Sequence, residues 1–182
     1  MVVIAPCDVY EAKRATLAMA TYVGPVYMRL ARENTPIITT PASPFEIGKA
    51  ELFMKRDVAH TKKVGIISTG TVTHHALVAA ATLNEKGIGT SVLHMATIKP
   101  LDTTALLDFA KDHDVLVTVE EHQRMGGLGS AVAEYLSLTY PKRILRLGVD
   151  DVFGQSGTPE ELLAYYGIDS ASIVREALKY IG

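Results

Sequence analysis

Residues 63–95 decide the fold of this chain, and they read KVGIISTGTVTHHALVAAATLNEKGIGTSVLHM. The stretch contains two short apolar runs rich in β-branched residues, Val64–Ser68 and Thr90–Met95, which predict buried strands. Between them an alanine-rich segment follows Gly70 and ends at Gly87, a residue typical of the position just after a helix. A strand, a helix and a second strand in about 30 residues predict one unit of a parallel α/β fold.

The same alternation of strands and helices continues on both sides of this unit. Further strands are predicted at Val2–Ala5, Val26–Leu30, Glu46–Phe53, Val115–Glu120 and Ile144–Leu147. Further helices are predicted from Asp8 to about Tyr22, at Thr103–Lys111 and Leu128–Leu138, from Pro159, and at Ser170–Tyr180. Asp8 has the character of an N-cap, and Glu11 three residues later would complete a carboxylate capping box. The predicted class is α/β, a mostly parallel sheet with helices on both faces, preceded by a partial α/β unit.

A proline-rich segment, residues 33–44, divides the chain. Its prolines at 36, 41 and 44 oppose both helix continuation and central-strand pairing, so we interpret it as a linker. The one helix and two strands before it have too little apolar surface to fold alone. We therefore expect residues 1–40 to be the tail of a larger domain and residues 44–182 to be a second domain, so that the chain is a fragment or one half of a split protein.

The composition argues against several classes of function. Among 182 residues there are 18 Lys and Arg against 20 Asp and Glu, a net charge of −2, without the basic runs that bind nucleic acid or a membrane surface. No segment has the pattern of a signal peptide or the length of an apolar spanning helix. Cys7 is the single cysteine, which excludes an internal disulfide and predicts no cysteine-based metal site. A cytoplasmic protein is expected.

The six histidines do not form a metal-ligand pattern; they are His60, His74, His75, His94, His113 and His122. Adjacent His74 and His75 project from a helix about 100° apart, which is unfavourable for chelating one ion. We interpret them as polar residues near the start of a helix. The sequence predicts no metal ligand and no catalytic residue.

The segment EEHQRMGGLGSAVAE, residues 120–134, leaves two interpretations open. Free N–H groups after Gly126, Gly127 and Gly129 could bind a phosphate at a helix N-terminus. The glycines lie several residues beyond the strand, however, and the dinucleotide-binding pattern is incomplete, which favours a structural role in packing the helix on the sheet. Residues 120–122, Glu-Glu-His, lie at the carboxyl end of a strand, where α/β sheets usually bind ligands.

Two arginines follow a strand in PVYMRLARENTP, residues 25–36. The planar guanidinium groups of Arg29 and Arg32 have the donor geometry that phosphate or carboxylate recognition needs. If the strand continued, alternation would direct them to opposite sides. We therefore expect one arginine to reach a site and the other to form an ion pair, with Glu33 as a candidate partner.

Several motifs together resemble one family. They are VVIAPCDVYEA, GPVYMRLAREN, ISTGTV, ATIKPLD, VTVEEHQRMGGLGSAVAEYL and FGQSGTPEELLAYYGI. In combination they resemble the C-terminal part of transketolases, above all the C-terminal halves of split prokaryotic ones, over practically the whole chain. Deoxyxylulose-phosphate synthase is a close relative with similar stretches.

The resemblance implies a role in a larger enzyme. Residues 1–40 resemble the end of the pyrimidine-binding domain, and residues 44–182 resemble the transketolase C-terminal domain. Complete members bind thiamine diphosphate and a divalent metal, Mg²⁺, through segments that this chain does not match. The resemblance therefore implies that the chain alone binds no cofactor and is inactive, that it needs an N-terminal transketolase half, and that it forms a homodimer.

The resemblance also assigns substrate-binding residues. It gives Arg32 the role of gripping the phosphate of a sugar substrate, and Arg29 matches a second arginine of the synthase branch. The implied activity is transfer of a two-carbon ketol unit between sugar phosphates in the pentose phosphate pathway. The alternatives are the synthase, a 2-oxo acid dehydrogenase of the beta type, which the tail at residues 155–168 argues against, and a non-catalytic docking or dimerisation module.

Overall fold

The computed structural model describes residues 1–56 and 61–181, which form two sheets flanked by helices. The strands are β1 (Val2–Ile4), β2 (Val26–Met28), β3 (Glu51–Met54), β4 (Lys63–Thr69), β5 (Gly89–His94), β6 (Thr97–Lys99), β7 (Val115–Gln123) and β8 (Ile144–Val149). The helices are α1 (Val9–Thr21), α2 (Thr73–Glu85), α3 (Thr103–Asp112), α4 (Leu128–Thr139), α5 (Pro159–Tyr165) and α6 (Ser170–Ile181), and a short 3-10 helix spans Gly70–Val72. The predicted α/β class is confirmed.

The larger sheet has five strands in the order β3-β5-β4-β7-β8. All neighbours are parallel except the edge strand β3, which runs antiparallel to β5. Successive residues of β4 enter different cores: Ile66 packs in the cluster that includes α2 and α6, and Ile67 packs in the one that includes α3 and α4. Because both faces are covered by helices, the strands are continuous apolar runs, as the sequence predicted.

The smaller sheet joins the two halves of the chain in the order β2-β1-β6. Strands β1 and β2 are parallel, whereas β6 comes from beyond the predicted linker and pairs antiparallel with β1, with Val3 opposite Lys99. Strand β6 was not predicted from the sequence. Its three residues, just before Pro100, are too few to show the alternation of apolar and polar residues that indicates a strand. The strand forms by pairing with β1, almost a hundred residues away.

Four predicted strands differ from the observed ones by two residues or more, and among them β7 and β8 extend to Gln123 and Val149 instead of ending at Glu120 and Leu147. The strand expected at Glu46–Phe53 begins only at Glu51, because Gly48 adopts a φ of 86° in a turn closed by the Lys49 N–H and the Glu46 carbonyl. Strand β2 ends at Met28 rather than Leu30. The prediction that α2 ends before Gly87 is confirmed, with a φ of 79° at that glycine.

Three apolar clusters show how the halves of the chain pack. Two clusters lie around the larger sheet, and the third contains Val2, Ile4 and Ala15. Phe45 and Ile47 pack against this third cluster, although they follow the proposed linker. The division at residues 40–44 stays a prediction, and in this structure the contacts of the N-terminal unit extend across it.

Candidate functional site: a cleft where the two sheets meet

The carboxyl ends of parallel strands from both sheets meet at one cleft of about 180 Å³. Its walls come from the segments after β1 and β2 and from the ends of β4 and β7. The Gly70 N–H donates to the Ala5 carbonyl at 3.0 Å, which holds the two walls together. The polar side chains lining the cleft belong to Arg29, Arg32, Thr71 and Glu121. Open α/β sheets bind ligands at this kind of edge.

Arg29 is fixed at the junction of the two sheets. Its Nη1 donates to the backbone carbonyl of Glu121 at 2.5 Å, and its own N–H donates to the Ile4 carbonyl at 2.9 Å. A Cβ on Gly70 would lie 3.2 Å from Nη2 of Arg29, and Gly70 also has a φ of 68°. A glycine at this position therefore satisfies both the backbone turn and the close approach of the guanidinium group.

Arg32 lines the same cleft but is held less firmly. Its side chain is 95% exposed, and Nε lies 3.4 Å from a carboxylate oxygen of Glu33, so the predicted ion pair is present. The condition under which the two arginines would face opposite sides, a strand that continues past Met28, is not met. Strand β2 ends at Met28, so alternation does not govern Arg29 or Arg32, and both line the cleft.

The glycine-rich segment binds a carboxylate of this chain. Glu120 is buried, and its two oxygens accept the N–H groups of Leu128 and Gly129 at 2.8 Å each, at the N-terminus of α4. Burial raises the pKa of Glu120, and these hydrogen bonds offset only part of that effect. The N–H groups of Leu128 and Gly129 at the start of α4 are thus bound to a carboxylate of this chain, which agrees with the structural interpretation of residues 126–129.

Gly127 should be intolerant of a side chain. A Cβ there would lie 1.9 Å from Oε2 of Glu120 and 2.7 Å from the Gln123 carbonyl oxygen, so Gly127→Ala must displace the carboxylate or the backbone. We expect a loss of about 1–3 kcal/mol in the free energy of unfolding, measured by urea denaturation. Gly154→Ala is the matched control, because its Cβ would meet no atom within 4 Å. Equal stability of both variants would contradict this account of the helix cap.

A buried hydrogen-bond network lies beneath the cleft. Asp8 is the N-cap of α1, as predicted, and accepts the Glu11 N–H at 2.9 Å. The Glu11 side chain does not complete the capping box, because Oε2 accepts the Cys7 N–H at 2.6 Å and lies 2.9 Å from Nε2 of His94. Nδ1 of His94 lies 3.0 Å from Oγ1 of Thr73. Since β5 brings His94 to α1, the network links the N-terminal unit to the larger sheet.

Among residues 1–56 and 61–181, one set of potential metal ligands converges. The ligand atoms of Cys7, Glu11 and His94 lie within 4.8 Å of one another, and all three residues are buried. Burial raises the pKa of the Cys7 thiol, whereas metal binding needs the thiolate. Glu11 and His94 are already hydrogen-bonded to each other. The arrangement is fully explained as a structural network, and the absence of a metal site stays a prediction.

A larger, mostly apolar cavity of about 530 Å³ adjoins the cleft. One wall is formed by α4, which contributes Ala131 and Tyr135. The other wall is the face of the smaller sheet that carries Val3 and Tyr27. The opposite face, with Val2 and Ile4, packs in the third apolar cluster. The smaller sheet therefore has one covered face and one that borders open space.

Comparison with known proteins decides the family. The family model described as "Transketolase, C-terminal domain" matches residues 54–173, well over half of the chain. The chain belongs to the transketolase family. The resemblance inferred from the motifs is thereby confirmed, and the match covers β4, β5, β7 and β8 of the larger sheet and most of its helices.

Curated relatives of this transketolase-family chain are mostly longer proteins. It is 42% identical to a "Putative transketolase C-terminal section" of Methanocaldococcus jannaschii, covering 98% of this chain and 55% of that protein. It is 34% identical to one of the subunits of an apulose-4-phosphate transketolase of Phocaeicola vulgatus, covering 100% and 56%. It is 41% identical to a "1-deoxy-D-xylulose-5-phosphate synthase" of a Synechococcus strain, covering 95% and 27%. The chain thus spans about half of the first two relatives and about a quarter of the third.

Solved structures agree with the family assignment. A chain described as "Split gene transketolase, inactive beta4 tetramer" superimposes with a TM-score of 0.93 at 39% identity, covering all of this chain and 58% of that one. Transketolase from Campylobacter jejuni superimposes with a TM-score of 0.70 at 16% identity, covering 98% and 26%, which supports the fold alone. No described helix is long and apolar enough to cross a membrane.

The sequence indicated part of this site and not the rest. It identified Arg29, Arg32 and the Glu-Glu-His segment at the end of β7, but it did not connect Glu121 with the arginines. Glu11 was predicted as a capping residue, and no role was predicted for His94. A histidine directly after the apolar pair Val92 and Leu93 of a buried strand was the available signal, because a buried imidazole needs a hydrogen-bond partner. His60 lies outside the described residues.

Proposed function

We propose that this chain is the C-terminal section of a thiamine-diphosphate-dependent transketolase, a cytoplasmic enzyme that transfers a two-carbon ketol unit between sugar phosphates. The observation that carries the proposal is the convergence of Arg29 and Arg32 on one cleft at the junction of the two sheets. Two guanidinium groups can hold a phosphate dianion by charge-assisted hydrogen bonds and so orient the sugar attached to it. Arg32, with its exposed side chain, is the proposed phosphate ligand, and Arg29 is the second.

The described residues that line the cleft do not fit a thiamine diphosphate and Mg²⁺ site. Mg²⁺ bound to a diphosphate needs carboxylate or carbonyl oxygens in octahedral geometry. Among the described residues, the cleft offers two cations and one carboxylate, and that carboxylate accepts a hydrogen bond from Thr71. We propose that the cofactor site belongs to the section of the longer relatives that this chain does not span, and that the chain alone is inactive.

The N-terminal unit supports an association with that other section. Helix α1 packs on one face of the smaller sheet, and the outer edge of β2 has no partner strand among the described residues. Apolar side chains of this unit are exposed to solvent, namely Leu17, Val23, Tyr27 and Leu30. Exposed edges and apolar patches are typical of protein interfaces. We propose that an N-terminal transketolase half covers this surface, and that the assembled protein pairs into a homodimer.

The synthase reaction is the second candidate. Identity of 41% with a 1-deoxy-D-xylulose-5-phosphate synthase is close to that with the transketolase sections. The motif resemblance also relates Arg29 to a second arginine of that branch. Both reactions need a phosphorylated sugar in the cleft, so the arginines do not separate them. The donor substrate does, because the synthase uses pyruvate and a transketolase uses a ketose.

Reconstitution tests the proposal. The chain is combined with an N-terminal section taken from a split relative, and donor consumption is measured with thiamine diphosphate, Mg²⁺ and an aldose phosphate as acceptor, for a ketose phosphate and, separately, for pyruvate. We expect turnover of the ketose by the mixture and by neither section alone. Turnover of pyruvate instead would favour the synthase. A stable complex without either activity would favour a docking module, and calorimetric binding of the cofactor to this chain alone would contradict the proposal.

A further inference from the structure

Glu121 contributes the single carboxylate among the described residues that line the cleft. Strand β7 fixes its direction, because Glu120 points into the protein and is buried, and Glu121 alternates with it and is exposed. Its backbone carbonyl accepts from Arg29, so the position of this residue is coupled to the guanidinium group. A carboxylate beside two arginines weakens the binding of a bare anion, so it calls for another explanation.

The orientation of the Glu121 side chain is set by Thr71. The Thr71 hydroxyl donates to Oε2 at 2.6 Å, and Oε1 has no hydrogen-bond partner among the described residues. A carboxylate can only accept hydrogen bonds, whereas the guanidinium groups can only donate. The cleft therefore presents donors for a phosphate and, on the neighbouring wall, one free acceptor for a hydroxyl group.

We propose that Glu121 determines specificity for phosphate esters whose carbon chain carries hydroxyl groups. With the phosphate on the arginines, a hydroxyl on a nearby carbon donates to Oε1 of Glu121, and an ester without that hydroxyl meets only the repulsion of the carboxylate. The cleft volume of about 180 Å³ suits a phosphate with a few carbons rather than a nucleotide. The inference rests on the proposed function, since it needs the arginines to bind the phosphate.

The test compares two esters of equal charge, glycerol 3-phosphate and propyl phosphate, whose affinities for the full chain are measured by NMR titration. We expect the unaltered chain to prefer glycerol 3-phosphate by about three- to tenfold. Glu121→Gln removes the charge at nearly constant size and should tighten propyl phosphate and reduce the preference. Thr71→Val frees the carboxylate to rotate and should also reduce it. Glu85→Gln, an exposed glutamate on α2, should change neither affinity.

Two outcomes separate this inference from the proposed function. Arg32→Ala should weaken both esters to the same extent, because the phosphate is common to them. If Arg32→Ala does so but Glu121→Gln leaves the preference unchanged, the phosphate site stands and the role of Glu121 is refuted. If neither Arg29→Ala nor Arg32→Ala weakens either ester, or if neither ester binds to the unaltered chain, the phosphate role fails and the inference about Glu121 fails with it.

Discussion

Glu11→Ala should lower the free energy of unfolding by about 2–5 kcal/mol, because two buried hydrogen-bond partners of the carboxylate lose their acceptor at about 1–3 kcal/mol each. Both side chains of the Glu11–His94 pair are 1% exposed, and the substitution leaves Nε2 of His94 and the Cys7 N–H without their acceptor. Because the pair joins α1 to β5, the loss should be greatest for the attachment of the N-terminal unit. Chemical denaturation measures the total, and amide hydrogen exchange at β1 and β6 measures the local effect.

The same pair predicts a dependence of stability on pH. Burial alone would raise the pKa of Glu11, but the hydrogen bonds from His94 and Cys7 outweigh it and hold the pKa below the ordinary value of 4.5. A carboxylate with a depressed pKa contributes stability above its unfolded pKa and loses it as the pH falls through the folded value. The unaltered chain should therefore lose stability below about pH 4.5, and Glu11→Ala should reduce this dependence.

Two variants control for other effects of the substitution. Glu11→Gln keeps an oxygen to accept a hydrogen bond and should recover part of the lost stability. Glu85→Ala removes an exposed glutamate from another helix and should change stability by less than about 0.5 kcal/mol. A Glu11→Ala chain as stable as Glu85→Ala would mean that the buried pair does not hold the two parts together.

Arg32→Ala should reduce kcat/KM for a phosphorylated acceptor by roughly tenfold to a hundredfold in the complex reconstituted with an N-terminal section. The expected loss corresponds to charge-assisted hydrogen bonds of about 1.5–3 kcal/mol between the guanidinium group and the phosphate. Arg32→Lys should recover only part of the activity, because a point charge replaces a planar pair of donors. Initial rates with a saturating ketose donor give the comparison.

An unphosphorylated aldose acceptor provides the decisive control for Arg32. This acceptor carries no phosphate for Arg32 to bind, so kcat/KM for it should hardly change in the Arg32→Ala complex. Equal losses for both acceptors would assign Arg32 to the fold through its ion pair with Glu33. If Arg29→Ala alone gives the phosphate-selective loss, the phosphate site stands and Arg29 is the main phosphate ligand. Its hydrogen bond to the Glu121 carbonyl would then hold the guanidinium group in place for that role.

Local sequence signals determined the elements around the larger sheet. Apolar runs such as Val64–Ser68 and the glycine after α2 act over a few residues, and both faces of the sheet bury their side chains, so the pattern matched the structure closely. The capping residue Asp8 and the proline at the start of α5, Pro159, were also recognisable, since a helix N-terminus is specified by its immediate neighbours. The motifs in combination were specific enough to indicate the family and the two arginines.

Only the tertiary structure decided how the two parts meet. Strand β6 forms because it pairs with the edge of β1. The Glu11 side chain hydrogen-bonds to His94, 83 positions away, and does not cap its own helix. The end of β2 at Met28 brings Arg29 and Arg32 to one cleft, and the ends of β4 and β7 add Thr71 and Glu121 to it. These contacts join residues far apart in sequence, so no local periodicity or propensity specifies them, and they follow from the packing of one sheet against the other.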